Sequence, residues 1–411
     1  MAHGRIRLGR SVVIGAIAFA LLAAIGLGLF ASGGLPGGPR VAGAMPPSGS
    51  ATLPGLSPTP AATPSPVATP VPTPTPIPTP TPTPTPSPTP VRVEAPLSGR
   101  KVLEAVAQRR VVAVMIDDHP DARPQAGFSS AAVVWHAPAE GGIPRYMLLY
   151  QDQIPETVGP VRSARQYYVA WAAEWAAMYA HVGGSPQALD TLRRQGNGQL
   201  VYNADEFRWG GIYFHRSTDR FAPHNVYTTG KELRRLAKRL GAVDQPQEAA
   251  WDFGPAIPLA QRRTGGKISV AYRLNAITYE YDRESNRYLR SVSGEGPQVD
   301  AGTGERVAPT NVVIMLMSFA PLNDGSNKHR LEGQYIGEGR AWIATNGRTI
   351  KGTWRKDSLQ EPTRFFDSKG RPVTLTVGQT FVQVMPTGTK VTIKDGKRPP
   401  RRQTGVTHTR Q

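Results

Sequence analysis

Ionisable side chains follow two apolar runs of the chain, at the points where each run ends. The run Val111–Ile116 stops at Asp117 and His119, and the run Ala131–Val134 leads to Glu140. Short apolar runs bounded by proline and glycine are typical of buried strands. Because open α/β sheets form their sites just beyond strand ends, this stretch predicts a functional cleft.

Candidate catalytic groups come from the same half of the chain. Carboxylates serve as general acids and bases, and histidine titrates near neutral pH, so an Asp/His cluster is compatible with a hydrolase. The candidates are Asp117, His119, Glu140, His181 and His224. A metal-dependent form would use Asp117, His119 and His224, although their spacing matches no signature such as H-E-x-x-H. No cofactor is identified, a metal is left open, and a structural role is the alternative for each histidine.

The elements that must position these groups are predicted to form two domains. Residues 95–242 combine strands with helices, which predicts an α/β or α+β domain. Residues 265–390 contain short β-rich runs separated by turn residues, with Asn346-Gly347 as a hairpin signal. This pattern predicts a smaller, mainly-β domain, either a sandwich or a small barrel.

Three helices are predicted in the first domain. Aromatic residues at helical spacing predict one from Ser163 to Tyr179 with a single apolar face. Ser185 and Pro186 supply an N-cap and a first-turn proline for the second helix. Thr229 and Glu232 have the spacing of a capping box and predict the start of the third.

The first 94 residues are predicted to form an anchor and a spacer. Residues 12–31 carry no charge and are long enough to span a bilayer as a helix, and the basic residues within 1–11 place the N-terminus in the cytoplasm. The Pro/Thr-rich stretch 32–94 predicts a disordered, polyproline-like linker. The prediction is a single-pass cell-membrane protein with extracytoplasmic domains. A signal peptide cleaved after residues 42–44 is the alternative, and it also implies export.

Charge and cysteine content limit the classes of function. The net charge of +18, from 48 basic and 30 acidic residues, favours contact with anionic lipid, wall polymer or nucleic acid. Without cysteine the chain has no disulfide, thiolate zinc site, cysteine nucleophile or cysteine-linked lipid. Nucleic acid is the least favoured partner, because no binding motif for it is present and export removes the chain from it. Residues 391–411 predict a basic, disordered tail.

Nine strings along the chain resemble the YerB-like family of bacterial surface proteins. The first domain contains AVMIDDHPDARPQAG, APAEGGIPRY, VGPVRSARQYYV, HVGGSPQAL and APHNVYT, and the second contains YDRESNRYLRS, NVVIMLM, GTWRKDSLQEPTRFFD and GQTFVQVMP. The resemblance covers roughly residues 95–390. It implies export, envelope attachment and two domains, with no established reaction. The lipobox cysteine of many relatives is missing here, so the resemblance does not extend to lipidation.

Motif positions carried over from this resemblance, with the glycine turn before the second helix, are the ligand-binding candidates. They are Arg123, Gln125, Arg145, Arg162, Ser163, Arg165, Gly183, Gly184, Ser185 and Asn225. The arginines would converge on carboxylates or phosphates, which a guanidinium binds through two parallel hydrogen bonds. The glycines precede a helix N-terminus, whose free N–H groups suit an anion.

Two functions are therefore weighed. The favoured one is a membrane-anchored module that binds an anionic, carboxylate- or phosphate-bearing cell-wall ligand such as a glycopeptide or polymer. The alternative is the extracytoplasmic Asp/His hydrolase, with Ser163 and Ser185 as nucleophile candidates, although neither lies in a G-x-S-x-G elbow. A purely structural spacer protein is a further reading, and the oligomeric state is left open.

Overall fold

The computed structural model describes residues 90–399, and this part of the chain is mostly β with few helices. The predicted transmembrane segment 12–31, the linker up to residue 89 and the tail beyond residue 399 lie outside the described residues. Within the described range, no helix combines the length and the apolar character that a membrane span requires.

The first half contains all five α-helices of the described chain. Its strands are β1 Arg92–Glu94, β2 Lys101–Leu103, β3 Val112–Asp117, β4 Val133–Ala137, β5 Arg145–Tyr150, β6 Met178–His181, β7 Tyr202–Asp205, β8 His215–Arg216 and β9 Val226–Tyr227. Its helices are α1 Glu104–Ala107, α2 Gln166–Ala173, α3 Pro186–Gln195, α4 Glu206–Trp209 and α5 Gly230–Arg239. Short 3-10 turns span Pro120–Ala122 and Glu140–Gly142.

The second half is built from strands, with one 3-10 turn at Leu259–Gln261 before them. The strands are β10 Phe253–Gly254, β11 Thr264–Ala271, β12 Ala276–Asp282, β13 Arg287–Val292, β14 Gly296–Pro297, β15 Asn311–Met317, β16 Phe319–Pro321, β17 Leu331–Gly333, β18 Gly337–Thr345, β19 Arg348–Lys356, β20 Arg364–Asp367, β21 Leu375–Thr376, β22 Thr380–Pro386 and β23 Thr392–Lys397.

One ten-stranded sheet runs through both halves in the order β20-β19-β18-β15-β22-β4-β5-β3-β6-β7. The halves join where β22 pairs in parallel with β4, from Thr380 opposite Val133 to Gln383 opposite His136. The remaining long strands form a five-stranded antiparallel sheet, β14-β13-β12-β11-β23. The second half is therefore not a sandwich or barrel of its own, because its apolar strands β15 and β22 complete the sheet of the first half.

Both faces of the large sheet are covered, because alternate residues of each central strand enter opposite cores. In β3, Met115 packs in one core with Trp171 of α2, whereas Val114 packs in the other with Leu233 of α5 and Ile268 of β11. The result is three layers. Helices α2 and α3 cover one face, and α5 with the five-stranded sheet covers the other.

The predicted helix from residue 163 to 179 is wrong in extent. Helix α2 spans only Gln166–Ala173, and Ala176 has a φ of 42° that helical backbone does not allow. Met178–His181 forms β6 and pairs in parallel with β3. Seven of the eight residues of α2 are buried, so the helix has no polar face, and the apolar spacing concealed a strand that completes the sheet.

Three local predictions are confirmed. Asn346 and Gly347, with φ of 51° and 70°, form the turn between β18 and β19. The Ser185 hydroxyl accepts the N–H of residue 188 at the start of α3, and the Thr229 hydroxyl accepts the N–H of Glu232 at the start of α5.

Both disordered segments predicted at the ends of the folded region are too long. In the predicted tail, Thr392–Lys397 forms β23, which pairs with β11 while Ile393 packs against the core. At the other end, Arg92–Glu94 of the predicted linker forms β1, paired with β2. Backbone pairing with β2 and β11 orders these stretches despite their charge.

Candidate functional site

The carboxyl ends of several strands meet at one edge of the large sheet. Strands β3, β6 and β7 are parallel neighbours, and β4 runs in the same direction because β5 is antiparallel to both β3 and β4. Asp117 ends β3, Ala137 ends β4 and His181 ends β6, while Arg145 begins β5 at the same edge. The fold thus brings polar groups from separate segments to the edge where α/β sheets form sites.

The segment 161–164 lies between the ends of β3 and β6. The Arg162 N–H donates to the Met115 carbonyl at 2.9 Å, and the Val182 N–H donates to the Arg162 carbonyl at 3.0 Å. These hydrogen bonds fix the segment against both strands. They place the Arg162 side chain beside Asp117.

Asp117 is the centre of the charged groups at this edge, and its side chain is fully buried. Its Oδ1 lies 3.1 Å from Nη1 of Arg145 and accepts the backbone N–H of His119 at 3.2 Å. Its Oδ2 lies 3.0 Å from Nε of Arg162 and 2.7 Å from Nδ1 of His224. Burial alone would raise the pKa of Asp117, but the two guanidinium groups and the hydrogen bond with His224 hold it below its ordinary value.

Glu140 binds the arginines from the other side. It accepts Nη2–H of Arg145 at 3.3 Å and Nε–H of Arg165 at 2.8 Å. Burial opposes ionisation, but Arg165 and Arg145 lower the pKa of Glu140 to about 2. Both carboxylates are therefore charged at neutral pH. We call Asp117, Glu140, Arg145, Arg162 and Arg165 the arginine cluster, with three positive and two negative charges.

Arg162 is the most accessible arginine of this cluster. Its side chain is 21% accessible, compared with 4% for Arg145 and 3% for Arg165. Partial burial lowers the pKa of Arg162, an effect that Asp117 opposes and Arg145 reinforces. Within the described residues, its two terminal nitrogens donate no hydrogen bond. The unmatched positive charge of the cluster therefore faces solvent through Arg162.

His119 and His224 lie next to the cluster. Their rings stack with centroids 4.5 Å apart and 21° between the ring planes. Nδ1 of His119 accepts the backbone N–H of Asp121 at 3.2 Å, and Nδ1 of His224 is bonded to Asp117. Four of the predicted catalytic candidates are thus neighbours. Asp117 contacts His224, which stacks on His119, and Arg145 links Asp117 to Glu140.

The predicted glycine turn has its own protein partners. The Gly183 N–H donates to Oδ1 of Asp205 at 3.0 Å, and the Ser185 N–H donates to the Ala164 carbonyl at 3.1 Å. The Ser185 hydroxyl caps α3. Gly183 has a φ of 57°, which explains why glycine is needed there. These contacts occupy N–H groups that an anion would otherwise use.

His181 and Asn225 also lie outside the arginine cluster. Nδ1 of His181 contacts the Gly183 carbonyl at 2.8 Å, and its Nε2 contacts Oδ1 of Asn203 at 2.7 Å. Asn225 accepts Nη1–H of Arg216 at 3.1 Å in the loop before β9. Both side chains hold neighbouring segments in place.

Asp118, next in sequence to Asp117, enters a separate and buried set of contacts. It accepts Nε–H of Arg123 at 3.0 Å and the Gln125 amide at 3.2 Å through Oδ1. Its Oδ2 lies 2.9 Å from Nε2 of His136 and accepts the Asn275 amide at 2.8 Å. Burial alone would raise the pKa of Asp118, but His136 and then Arg123 lower it overall.

The contacts continue from His136 into the second half of the chain. Nδ1 of His136 lies 2.9 Å from the Gln383 amide and 3.3 Å from Nη2 of Arg290. Burial lowers the pKa of His136 to about 4, so the imidazole is neutral at pH 7 and its Nε2–H donates to Asp118. We call Asp118, Arg123, Gln125, His136, Asn275, Arg290 and Gln383 the buried network.

Two predicted ligand residues, Arg123 and Gln125, belong to this network and also line a surface pocket of about 540 Å³. The opposite wall of the pocket is the segment 292–299, where Glu295 pairs with Arg123. The Arg123 guanidinium is thus occupied by two carboxylates, Asp118 and Glu295. It has less capacity for a further anion than Arg162.

Sequence reasoning missed the second-half members of the buried network. Gln383 lies in the middle of the apolar strand TFVQVMP, and Arg290 lies on the buried face of β13. A polar side chain inside an apolar strand requires a partner, so these interruptions were the available signal.

Comparison with known proteins places these motifs in a family. The model of the N-terminal domain of a protein family of unknown function, DUF3048, matches residues 97–243, and the model of its C-terminal domain matches residues 268–382. A Bacillus subtilis (strain 168) protein named "Putative lipoprotein YerB" is 31% identical over 314 residues, which cover 74% of this chain and 90% of the relative. The chain belongs to this YerB-like family. The resemblance found in the sequence motifs is thereby confirmed.

A solved structure of the family agrees with the fold. The crystal structure of YerB from Bacillus subtilis superposes with a TM-score of 0.65 at 28% identity, covering 73% of this chain and 99% of that one. The arginine cluster lies within the matched segment 97–243. The other members of the buried network lie within the two matched segments, and Gln383 of β22 lies one residue beyond the second.

Proposed function

We propose that this YerB-like chain is a membrane-anchored, extracytoplasmic module that binds an anionic cell-wall ligand through Arg162. The observation that carries the proposal is the arginine cluster, in which three guanidinium groups surround two carboxylates and only Arg162 has free terminal nitrogens. A guanidinium with both terminal nitrogens available binds a carboxylate or phosphate with two parallel hydrogen bonds.

The ion pairs around Arg162 support its selection as the ligand contact. Asp117 forms an ion pair with its Nε at 3.0 Å, so the guanidinium is placed beside the carboxylate before a ligand arrives. Arg145 and Arg165 are each bound to Glu140 and are nearly inaccessible. They add positive potential without competing for the ligand. Side chains already held in place lose less conformational entropy when the ligand binds.

The nature of the ligand follows from charge and place. The chain carries a net charge of +18, which favours polyanions. The proposed anchor at residues 12–31 and the Pro/Thr-rich spacer would hold the folded part above the membrane, and the relative's name as a lipoprotein agrees with an envelope location. Wall polymers with phosphodiesters and glycopeptides with free carboxylates have the required chemistry.

The test compares retention of the full-length chain on immobilised glycerol-phosphate polymer and on carboxylate-rich peptidoglycan fragments. The Arg162→Ala variant should bind about tenfold more weakly, since one bidentate ion pair is worth on the order of 1–2 kcal/mol. Arg348→Ala is the matched control, because Arg348 is an exposed arginine beside the β18–β19 turn. Equal retention of Arg162→Ala and Arg348→Ala would refute the proposal.

A hydrolase is the second candidate, and one contact favours it. The Asp117 carboxylate lies 2.7 Å from Nδ1 of His224, an arrangement that would leave Nε2 of His224 to take up a proton. Neither of the two serines proposed as nucleophiles is hydrogen-bonded to a histidine within residues 90–399, and the Ser185 hydroxyl instead caps α3. Release of phosphate or amine groups from wall fragments by the wild type, lost in His224→Gln, would support this candidate.

A further inference from the structure

Three potential metal ligands come together beside the arginine cluster. His119, Asp121 and His224 each offer a ligand atom, and these atoms lie within 4.8 Å of one another. His119 and Asp121 flank Pro120 in the short turn after β3, while His224 comes from the loop before β9. We infer that these three side chains form a binding site for a divalent transition-metal ion of the zinc class.

The separation of the first two ligands fits such an ion. Nδ1 of His119 lies 3.4 Å from Oδ2 of Asp121. Tetrahedral zinc binds nitrogen and oxygen at 2.0–2.2 Å, which places neighbouring ligand atoms about 3.4 Å apart. Nδ1 of His119 accepts the backbone N–H of Asp121 at 3.2 Å. Coordination of a metal by Nδ1 would replace this one hydrogen bond.

One nitrogen of the third ligand is held by a carboxylate. Nδ1 of His224 is bonded to Asp117 at 2.7 Å, so the Nδ1–H tautomer is favoured and Nε2 carries the free lone pair. A carboxylate that holds the second nitrogen of a ligating histidine is the usual outer shell of zinc sites. Asp117 itself is fully occupied by Arg145, Arg162 and His224, so Asp121 takes the ligand position that the sequence had suggested for Asp117.

The accessibility of two of the ligands is suited to metal entry. The side chain of Asp121 is 73% exposed and that of His119 is 32% exposed, so an ion reaches the site from solvent. Because the three ligand atoms lie within 4.8 Å of one another and zinc requires about 3.4 Å between neighbouring ligands, coordination also requires a side-chain movement of about 1 Å. Two imidazoles and one carboxylate favour zinc, cobalt or nickel over magnesium or calcium, which prefer oxygen ligands.

The site goes beyond the proposed anion binding, because it uses different side chains and does not need Arg162. Three protein ligands leave a fourth position of a tetrahedral ion open. Arg162 and His224 converge on the same oxygen of Asp117, so an anion at the open position would lie within reach of the Arg162 fork.

The test is a titration of the full-length, metal-stripped chain, purified without a histidine tag, with Co²⁺ followed by visible absorption and with Zn²⁺ followed by calorimetry. The wild type and Arg162→Ala should each bind one ion. His119→Ala and Asp121→Asn should each weaken metal binding by at least about tenfold, because even the loss of an outer-shell partner of a zinc ligand typically has an effect of that size. His215→Ala is the control, because His215 is exposed and outside the group.

Folding is checked by the melting temperature without metal, which the exposed Asp121→Asn change should leave unaltered. A wild type that binds no ion, or a bound ion retained equally by His119→Ala and Asp121→Asn, would overturn the inference. Loss of metal binding with anion retention intact would leave the proposed function standing. Loss of anion retention in Arg162→Ala alone would leave the metal site standing.

Discussion

Asp117 and Asp118 are adjacent in sequence, yet they serve two regions of opposite character. Asp118 lies in the buried network, where Arg123, His136 and Asn275 satisfy both of its oxygens. Asp117 lies in the arginine cluster, where Arg162 retains free donors and reaches solvent. Because successive residues point to opposite sides at a strand end, one carboxylate joins the two halves of the chain and the other organises a surface.

The comparison shows how to separate a structural charge from a candidate functional one. In the buried network both oxygens of Asp118 accept hydrogen bonds, and the donors come from both halves of the chain. In the arginine cluster the charges are not balanced, and the excess lies on an accessible side chain. Complete satisfaction indicates a structural role, whereas an unmatched accessible group indicates capacity for a ligand.

The largest predicted effect is on the buried network. Asp118→Ala leaves the charge of Arg123 and the donors of His136 and Asn275 without their acceptor, and should lower the free energy of unfolding by about 3–5 kcal/mol. Urea denaturation measures this change. Asp121→Ala is the matched control, since that side chain is 73% exposed and should alter stability by less than about 0.5 kcal/mol. Similar losses in both variants would remove the distinction between the two regions.

The next effect is pH-dependent and concerns Glu140 of the arginine cluster. Its pKa is lowered from 4.5 to about 2 in the folded chain, so the charged carboxylate stabilises the fold above pH 4.5. This contribution is lost as the pH falls from 4.5 towards 2. At pH 7, Glu140→Gln should therefore be less stable than the wild type by about 3 kcal/mol, at 1.36 kcal/mol per pKa unit.

Urea denaturation at pH 7 and pH 3 checks the sign of this effect. The difference between wild type and Glu140→Gln should shrink at the lower pH. Glu284→Gln, at an exposed position, should show no comparable trend. A difference that stayed constant from pH 7 to pH 3 would mean that Arg165 and Arg145 do not depress the pKa of Glu140 as described.

A smaller effect separates helix capping from ligand binding. Ser185→Ala removes the hydroxyl that accepts the Ala188 N–H in the first turn of α3, and should cost about 1 kcal/mol of stability. It should leave retention on anionic polymer unchanged, because the backbone N–H groups of this turn have protein partners. Thermal denaturation and the polymer assay on the same preparation give both results. Weakened retention at unchanged stability would return the glycine turn to the ligand site.

Much of the fold could be predicted from local pattern, because continuous apolar runs in this chain are strands buried on both faces. The predicted runs Val111–Ile116 and Ala131–Val134 are both strands: β3 lies one residue later, and β4 begins two residues and ends three residues later. The join of β22 to β4 could not be predicted, since it pairs residues about 250 positions apart with no local signal.

The residue types of the site could be predicted from the sequence. Its separation into an arginine cluster and a buried network could not. The residue types around Asp117 indicated ionisable chemistry, and the structure brings Asp117, Glu140 and three predicted arginines into one cluster. Which of the two adjacent aspartates was structural depended on Asn275, Arg290 and Gln383, which come from a distant part of the chain. Spacing along the sequence carries no information on such contacts.

The central claim is that an anion binds at the Arg162 guanidinium, and side-chain NMR tests it most directly. The full-length chain with ¹⁵N-labelled arginine would be titrated with a glycerol-phosphate oligomer while the guanidinium signals are followed. We predict saturable shifts of the Arg162 signal, assigned by its loss in Arg162→Lys, with little change for Arg123 or the exposed Arg348. Shifts confined to other arginines, or none at saturating oligomer, would contradict the account.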